Sequence, residues 1–148
     1  MTDGSDTYYY EYDSLGRLIR ATLKNSSGST VLYVENSYDS LGRSAGSSYS
    51  LGTTNISSTV SYKTNSNLVE ELGITRGDST SVQYGYDNLD RLISRRVYVN
   101  GTLAFRDTYS YYNYNNNTTS LVANHLMWIR GGGSIGYTYA YDKLGNIT

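Results

Sequence analysis

The chain has 148 residues, a formal net charge of −1, 18 Tyr, 15 Gly, one Phe, and neither Pro nor Cys. Such a balance provides no electrostatic footprint for nucleic acid or an anionic membrane, and the absence of thiols excludes a disulfide framework and a thiolate metal site. No apolar run approaches the roughly 20 residues of a spanning helix, so membrane insertion is not expected.

Met1-Thr2-Asp3-Gly4-Ser5-Asp6 is acidic and polar and has none of the marks of a signal peptide. The first element follows. Tyr8-Tyr9-Tyr10-Glu11-Tyr12 reads as a strand, because tyrosine favours a pleated, half-buried surface. Asp13-Ser14-Leu15-Gly16 reads as a turn and Arg17 to Leu23 as the return strand. Asp at the first turn position can accept backbone N–H bonds, and Gly at the fourth supplies the left-handed conformation of a type I turn with a G1 bulge. That geometry predicts Asp13 against Arg17 and Tyr12 against Leu18, contacts that set register more than they add energy.

The phrase recurs down the chain. Tyr38-Asp39-Ser40-Leu41-Gly42-Arg43, Tyr86-Asp87-Asn88-Leu89-Asp90-Arg91-Leu92-Ile93 and Tyr141-Asp142-Lys143-Leu144-Gly145-Asn146-Ile147 are clear copies. Worn copies begin at Tyr62, which keeps Leu68-Val69, and near Tyr114, which is followed by Leu121-Val122. The units start near Tyr12, Tyr38, Tyr62, Tyr86, Tyr114 and Tyr141, with spacings of 26, 24, 24, 28 and 27 residues. Repetition at this period decides architecture before any single residue does. Asp90 stands where the other clear copies have Gly, Asn146 removes the last charge pair, and Ser44 removes an apolar partner. The Lys63 to Ser66 turn has lost the phrase's chemistry and is expected to be looser. Second turns at Asn25-Ser26-Ser27-Gly28-Ser29, Arg76-Gly77-Asp78-Ser79 and Asn100-Gly101 separate runs such as Val31 to Val34 and Val97 to Val99. The expected fold is all-β: one domain over residues 1–148, a meander of about a dozen strands in a twisted sheet, without substantial helix.

This phrase resembles the YD-repeat, or Rhs-repeat, family, whose pattern is roughly Tyr-x-Tyr-Asp-x-x-Gly-Arg-Leu. Tyr10-Glu11-Tyr12-Asp13 through Leu18 matches throughout, and Tyr84 to Asp87 and Tyr139 to Asp142 match the first half. The resemblance covers nearly the whole chain. It implies a continuous sheet of hairpins that spirals into a shell or stalk, as in bacterial Rhs and toxin-complex proteins and the teneurins. It also implies a secreted or bacterial cell-surface setting. The Pro-rich self-cleavage segment of many such toxins has no counterpart here, and the chain stops at Thr148 just after its last turn. The expectation is a fragment of a longer protein, or a chain whose last strand pairs elsewhere.

The remaining candidates for chemistry have plain structural readings. His125 is the only histidine and has Asp107 and Asp142 as its nearest acids in sequence, so no zinc site or triad is expected. Glu70 and Glu71 would point to opposite sheet faces. Gly131-Gly132-Gly133 lacks the helix of a phosphate loop and reads as a turn before the strand at Ser134 to Tyr139. His125 to Ile129 reads as a buried strand or a cap. Arg76-Gly77-Asp78 is ordinary turn chemistry that also spells an integrin tripeptide, and Asn-x-Ser/Thr matches such as those at Asn25, Asn55, Asn100 and Asn117 suit an Asn- and Ser-rich chain. Tyr8 and Tyr10 with Tyr12, and Tyr137 and Tyr139 with Tyr141, alternate along a face. Such rows serve as the sheet's own packing face or as sugar-stacking platforms.

The phrase residues Tyr12, Asp13, Gly16, Arg17, Leu18, Tyr38, Asp39, Gly42, Arg43, Tyr86, Asp87, Arg91, Leu92, Tyr141, Asp142 and Gly145 are therefore assigned structural roles. No catalytic residue, cofactor or metal is expected. The expected function is a non-catalytic structural module that pairs through its sheet edges with another copy or with the rest of a longer chain. A glycan-binding surface using Tyr8, Tyr10, Tyr137 and Tyr139 is the alternative.

Overall fold

The structure, a computed structural model, describes residues 5–114 and 117–148, with the side chains at 114, 117 and 118 outside the description. Eleven strands make up the fold: β1 (Thr7–Tyr12), β2 (Leu18–Lys24), β3 (Thr30–Tyr38), β4 (Ser44–Leu51), β5 (Thr54–Tyr62), β6 (Val69–Arg76), β7 (Asp78–Tyr86), β8 (Leu92–Val99), β9 (Thr102–Tyr114), β10 (Asn117–Ile129) and β11 (Gly133–Thr138). They form one sheet in chain order, each hydrogen-bonded to its sequence neighbours, with β1 and β11 at the edges. The all-β hairpin meander expected from the repeat is the fold adopted, and no helix occurs among the described residues.

Two compact units divide the chain: residues 1–61 with 72–79, and residues 62–71 with 80–148. In the first, cross-strand register sorts side chains cleanly by face. Tyr8 opposes Leu23, Leu23 opposes Leu32, and Leu32 opposes Leu51. A second row runs Tyr10, Ala21, Val34, Tyr49 and Ile56. The other face carries Glu11, Arg20, Glu35, Ser48 and Ser57 in one row. Arg20 bridges Glu11 and Glu35 at 3.2 and 3.0 Å. One face is thus apolar and the other charged, the signature of an antiparallel sheet with two different surroundings.

The second unit also sorts by face, but with charge set into the apolar side. Val82, Val97, Phe105 and Ile129 fall in one row, and Tyr84, Arg95, Asp107, Met127 and Ile135 in the next on the same face. The opposite face carries Gln83, Arg96, Arg106 and Trp128. No hydrophobic side chain among the described residues is fully buried, and the largest fully buried side chain is the carboxylate of Asp107. Apolar faces such as these reduce water contact by lying against their cross-strand neighbours, not by closing over a core. Stability then rests on pairs worth roughly 0.2–1 kcal/mol each, and on whatever ties one hairpin to the next.

His125 to Ile129 lies in the second half of β10, between β9 and β11. Gly131-Gly132-Gly133 forms the turn into β11, with the Gly132 N–H bonded to the Ile129 carbonyl at 3.0 Å. Gly77 sits at φ +75 between β6 and β7, so Arg76-Gly77-Asp78 is at a hairpin tip. The sequence pair Asn100-Gly101 adopts φ +49 and +73, the mirror-image turn that fits the twist of a tight hairpin.

Candidate functional site

The turn phrase has the same geometry in all four clear copies. In the first, the Asp13 N–H donates to the Arg17 carbonyl at 2.9 Å and the Gly16 N–H to the Asp13 carbonyl at 3.0 Å. The Asp13 carboxylate accepts the Leu15 and Arg17 N–H groups at 2.9 Å each and the Arg17 Nε at 2.6 Å. Asp39 with Leu41 and Arg43, and Asp87 with Leu89 and Arg91, repeat this set. Gly16, Gly42 and Gly145 sit at φ +77, +82 and +84, and Asp90 takes the same left-handed place at φ +61. In the last copy the Asn146 Nδ2 replaces the guanidinium, bonding Asp142 Oδ2 at 2.9 Å. A hydrogen bond survives where the charge pair is lost.

Two variations extend the pattern. Asn25 plays the part of Asp, accepting the Ser27 and Ser29 N–H groups, and Gly28 takes φ +80. Around Lys63 the loop is one residue longer, with the Lys63 N–H bonded to the Leu68 carbonyl at 2.9 Å and Asn65 at φ +56. Its tip is held by a 2.6 Å ion pair from Lys63 to Asp90 of the next turn, not by a phrase carboxylate.

These bonds move the carboxylates in one direction. Asp13 is held below its ordinary 3.8, chiefly by the Arg17 backbone N–H. For Asp87 the Arg91 side chain is the largest cause, and for Asp142 the Asn146 side chain. At Asp39 partial burial pushes upward, and the bonds from Arg43 and Leu41 together outweigh it.

The phrase tyrosine does a second job that is invisible within one repeat. The Tyr38 hydroxyl donates to the Leu18 carbonyl of the preceding repeat at 3.0 Å. Tyr86 bonds Val69 at 2.8 Å, Tyr111 bonds Leu92 at 2.7 Å and Tyr141 bonds Val122 at 2.9 Å. The acceptors Leu18, Val69 and Leu92 open β2, β6 and β8, and Val122 lies inside β10, so the same kind of joint recurs among the described residues. Arg17 adds to it by lying 4.3 Å over the Tyr38 ring, and Arg91 by lying 4.2 Å over Tyr111. Arg91 also donates to the Thr119 carbonyl. The arginine therefore pins its own turn through Asp and the next hairpin through Tyr. In the fifth repeat the joint is made by Tyr111, three residues ahead of the Tyr114 start read from spacing. The side chain of Tyr114 and residues 115 and 116 lie outside the described residues. Tyr12 has the phrase position but not the joint: it is 58% exposed.

Sequence reasoning missed a third feature, in the second unit. Asp107, 1% exposed, accepts the Arg95 Nε and Nη2 at 2.9 and 2.5 Å through Oδ2 and meets His125 Nε2 at 2.9 Å through Oδ1. The His125 ring is stacked between Tyr109 at 4.6 Å and Tyr137 at 5.9 Å. Burial, with the Asp107 carboxylate adding, pushes the Tyr109 phenol up. This is a satisfied polar knot: the one buried charge has partners on the strands at either side. Arg95 opposes Asp107 and Tyr109 opposes His125 in register, so strand pairing builds it. No group of three or more metal-ligating residues occurs among the described residues.

The tyrosine rows separate on inspection. Tyr8 and Tyr10 lie parallel at 6.3 Å and 8°, and are 59% and 55% exposed. Tyr137 is engaged with His125, and the Tyr139 carbonyl accepts the Tyr112 hydroxyl at 2.6 Å, beyond the end of β11.

No protein-family model matches the chain, and no curated protein matches it. Among solved structures it is similar to TcdB2-TccC3-TEV at 16% identity and a TM-score of 0.37, over 99% of this chain and 9% of that one. A Bacteroides fragilis protein of unknown function is similar at 12% identity and a TM-score of 0.23, over 96% and 95% of the two chains. The chain thus spans about a tenth of the length of the first of these, and similarities at this level carry no functional argument.

Proposed function

We propose that the chain is a non-catalytic structural β-repeat module, one stretch of wall or stalk in a secreted or cell-surface assembly, joined to its surroundings through its sheet edges. The observation that carries this reading is the recurring joint: Asp fixes the turn in the four clear copies, Arg fixes Asp in three of them, and a tyrosine of the next repeat fixes the hairpin. These phrase residues are consumed by holding one hairpin to the next, the task of a scaffold extended by repetition. The likeness of the phrase to YD-repeat proteins supports the same setting.

Unpaired edge strands favour association with further strands. Sedimentation velocity over a wide concentration range tests this. Dimers or a growing series are expected, and a single 16.5 kDa species at every concentration would refute edge use.

A second reading rests on the exposed Tyr8–Tyr10 pair, two parallel rings 6.3 Å apart that offer apolar surface and hydroxyls to a sugar. It requires titration with polysaccharides to change tyrosine fluorescence, and requires Tyr8→Ala with Tyr10→Ala to abolish that change.

A further inference from the structure

We infer that two copies of the chain pair through β1, antiparallel about a two-fold axis at Tyr9. This deepens the edge-association reading and rests on it.

Strand β1 is exposed along its whole length, with Tyr8, Tyr9, Tyr10 and Tyr12 at 59, 52, 55 and 58%. It has no Pro and no Lys, and the one irregularity in its pairing, between Glu11 and Tyr12, places the extra residue on β2, leaving the backbone from Thr7 to Glu11 regular. The other edge, β11, contains Gly133 and Gly136 in six residues, and glycine leaves little to pack on a new neighbour. An isologous β1–β1 contact is antiparallel by symmetry and closes on itself.

Backbone direction fixes which residues can bond. The Asp13 N–H points at β2, where it meets Arg17. Alternation then turns Glu11 and Tyr9 toward β2, and sends the N–H and C=O of Tyr8 and Tyr10 outward. A hydrogen-bonded pair across the axis therefore sets Tyr8 against Tyr10 of the second copy, and Tyr10 against its Tyr8. Tyr9 meets Tyr9 as the closer, non-hydrogen-bonded pair, and Thr7 meets Glu11.

Three properties of β1 suit this register. The stacked Tyr8–Tyr10 pair meets its symmetry copy, extending the apolar rows that run through Leu23 and Leu32 and through Ala21 and Val34. The single charge of the strand, Glu11, opposes a threonine and keeps its own Arg20 at 3.2 Å. No like charges face each other across the axis.

The test is charge exchange at the axis. Tyr9→Lys alone and Tyr9→Glu alone each oppose like charges across the closest pair, and each is expected to weaken dimerisation at least about fivefold. Mixing the two variants is expected to restore a mixed dimer, read by sedimentation velocity and by native mass spectrometry. Circular dichroism of each variant separates lost pairing from lost folding, and restoration by mixing is itself proof that both fold. If wild type associates but Tyr9 variants associate equally well, this register is wrong while edge association stands. If Tyr10 variants show the exchange instead, the axis lies at Tyr10 and the inference falls. A wild-type monomer at every concentration overturns both readings.

Discussion

The inter-repeat joint makes a prediction with its own internal control. Tyrosine-to-phenylalanine substitution removes one oxygen and leaves the ring. At Tyr38, Tyr86, Tyr111 and Tyr141 that oxygen donates to a half-buried backbone carbonyl at 2.7–3.0 Å. At Tyr12, which occupies the same place in the phrase, the ring is 58% exposed. A typical intramolecular hydrogen bond is worth about 0.5–1.5 kcal/mol net, with more lost when the abandoned partner stays dry. Each of the four internal substitutions should therefore cost about 1 kcal/mol. With a urea slope of roughly 2 kcal/mol/M, the unfolding midpoint falls by about 0.5 M. Tyr12→Phe should leave the midpoint of the monomer within error. Urea titration followed by far-UV circular dichroism, at concentrations below any association, reads all five. If Tyr12→Phe costs as much as Tyr111→Phe, the hydroxyls act through something other than these carbonyls. If none of the five moves the midpoint, the hairpins are not tied by tyrosine at all.

Three further outcomes follow from other sites. Arg95→Met leaves the buried Asp107 carboxylate with only His125, and because the Arg95 side chain is itself 44% exposed the loss should fall below that of a fully buried pair, at about 2 kcal/mol; a smaller loss on thermal unfolding than Tyr111→Phe would show that water reaches Asp107. Gly46→Ala places a Cβ 2.2 Å from the Ser58 carbonyl oxygen at φ +148, so strain and overpacking of about 2 kcal/mol or more should loosen β4 from β5, read as lost amide protection along both strands. Asp13, Asp39, Asp87 and Asp142 titrate below 3.8 in the folded chain. Their stabilisation is complete above the unfolded value and is lost as pH falls through the folded ones. Urea midpoints should be flat from pH 7 to about 5 and fall steeply below about 4, and an Asp87→Asn variant should show a shallower acid fall.

What the sequence disclosed and what it hid divide by range of contact. The turn chemistry lies within five consecutive residues, so Asp13, Gly16 and Arg17 announce their geometry wherever they occur. The joint spans about 20 residues, from Tyr38 back to Leu18. Only the regular recurrence of Tyr hints at it, and nothing in one repeat shows that the hydroxyl is needed. In the fifth repeat irregular register between Thr118 and Asn124 shifts the pairing, so spacing points to Tyr114 where geometry uses Tyr111. The Asp107 knot was hidden for a related reason. Arg95, Asp107 and His125 meet only because β8, β9 and β10 pair in one register, and no local motif marks any of the three. Alternating tyrosines and leucines also look the same whether they face a core or an open surface. Only the exposures show that no hydrophobic side chain among the described residues is fully buried.

That lack of a buried core gives the repeated phrase its physical sense. A globular domain holds its hairpins together by burying leucine and valine, at roughly 25 cal/mol per Å². Here Leu15, Leu41, Leu89 and Leu144 stand 58–87% exposed at the turns, so the turns gain little from burial. The hairpins must be tied by directional contacts, and the phrase supplies them from a small kit: a carboxylate that fixes the turn in the four clear copies, a guanidinium shared between that carboxylate and the next ring at Arg17 and Arg91, and a tyrosine hydroxyl on a carbonyl of the preceding repeat. Each is small, but each is made between neighbours only, so their sum grows with the number of repeats and not with the volume of a core. A sheet built this way gains stability repeat by repeat. The strands at its two ends keep unmet backbone groups, and it is through those groups that the proposed pairing of β1 would act.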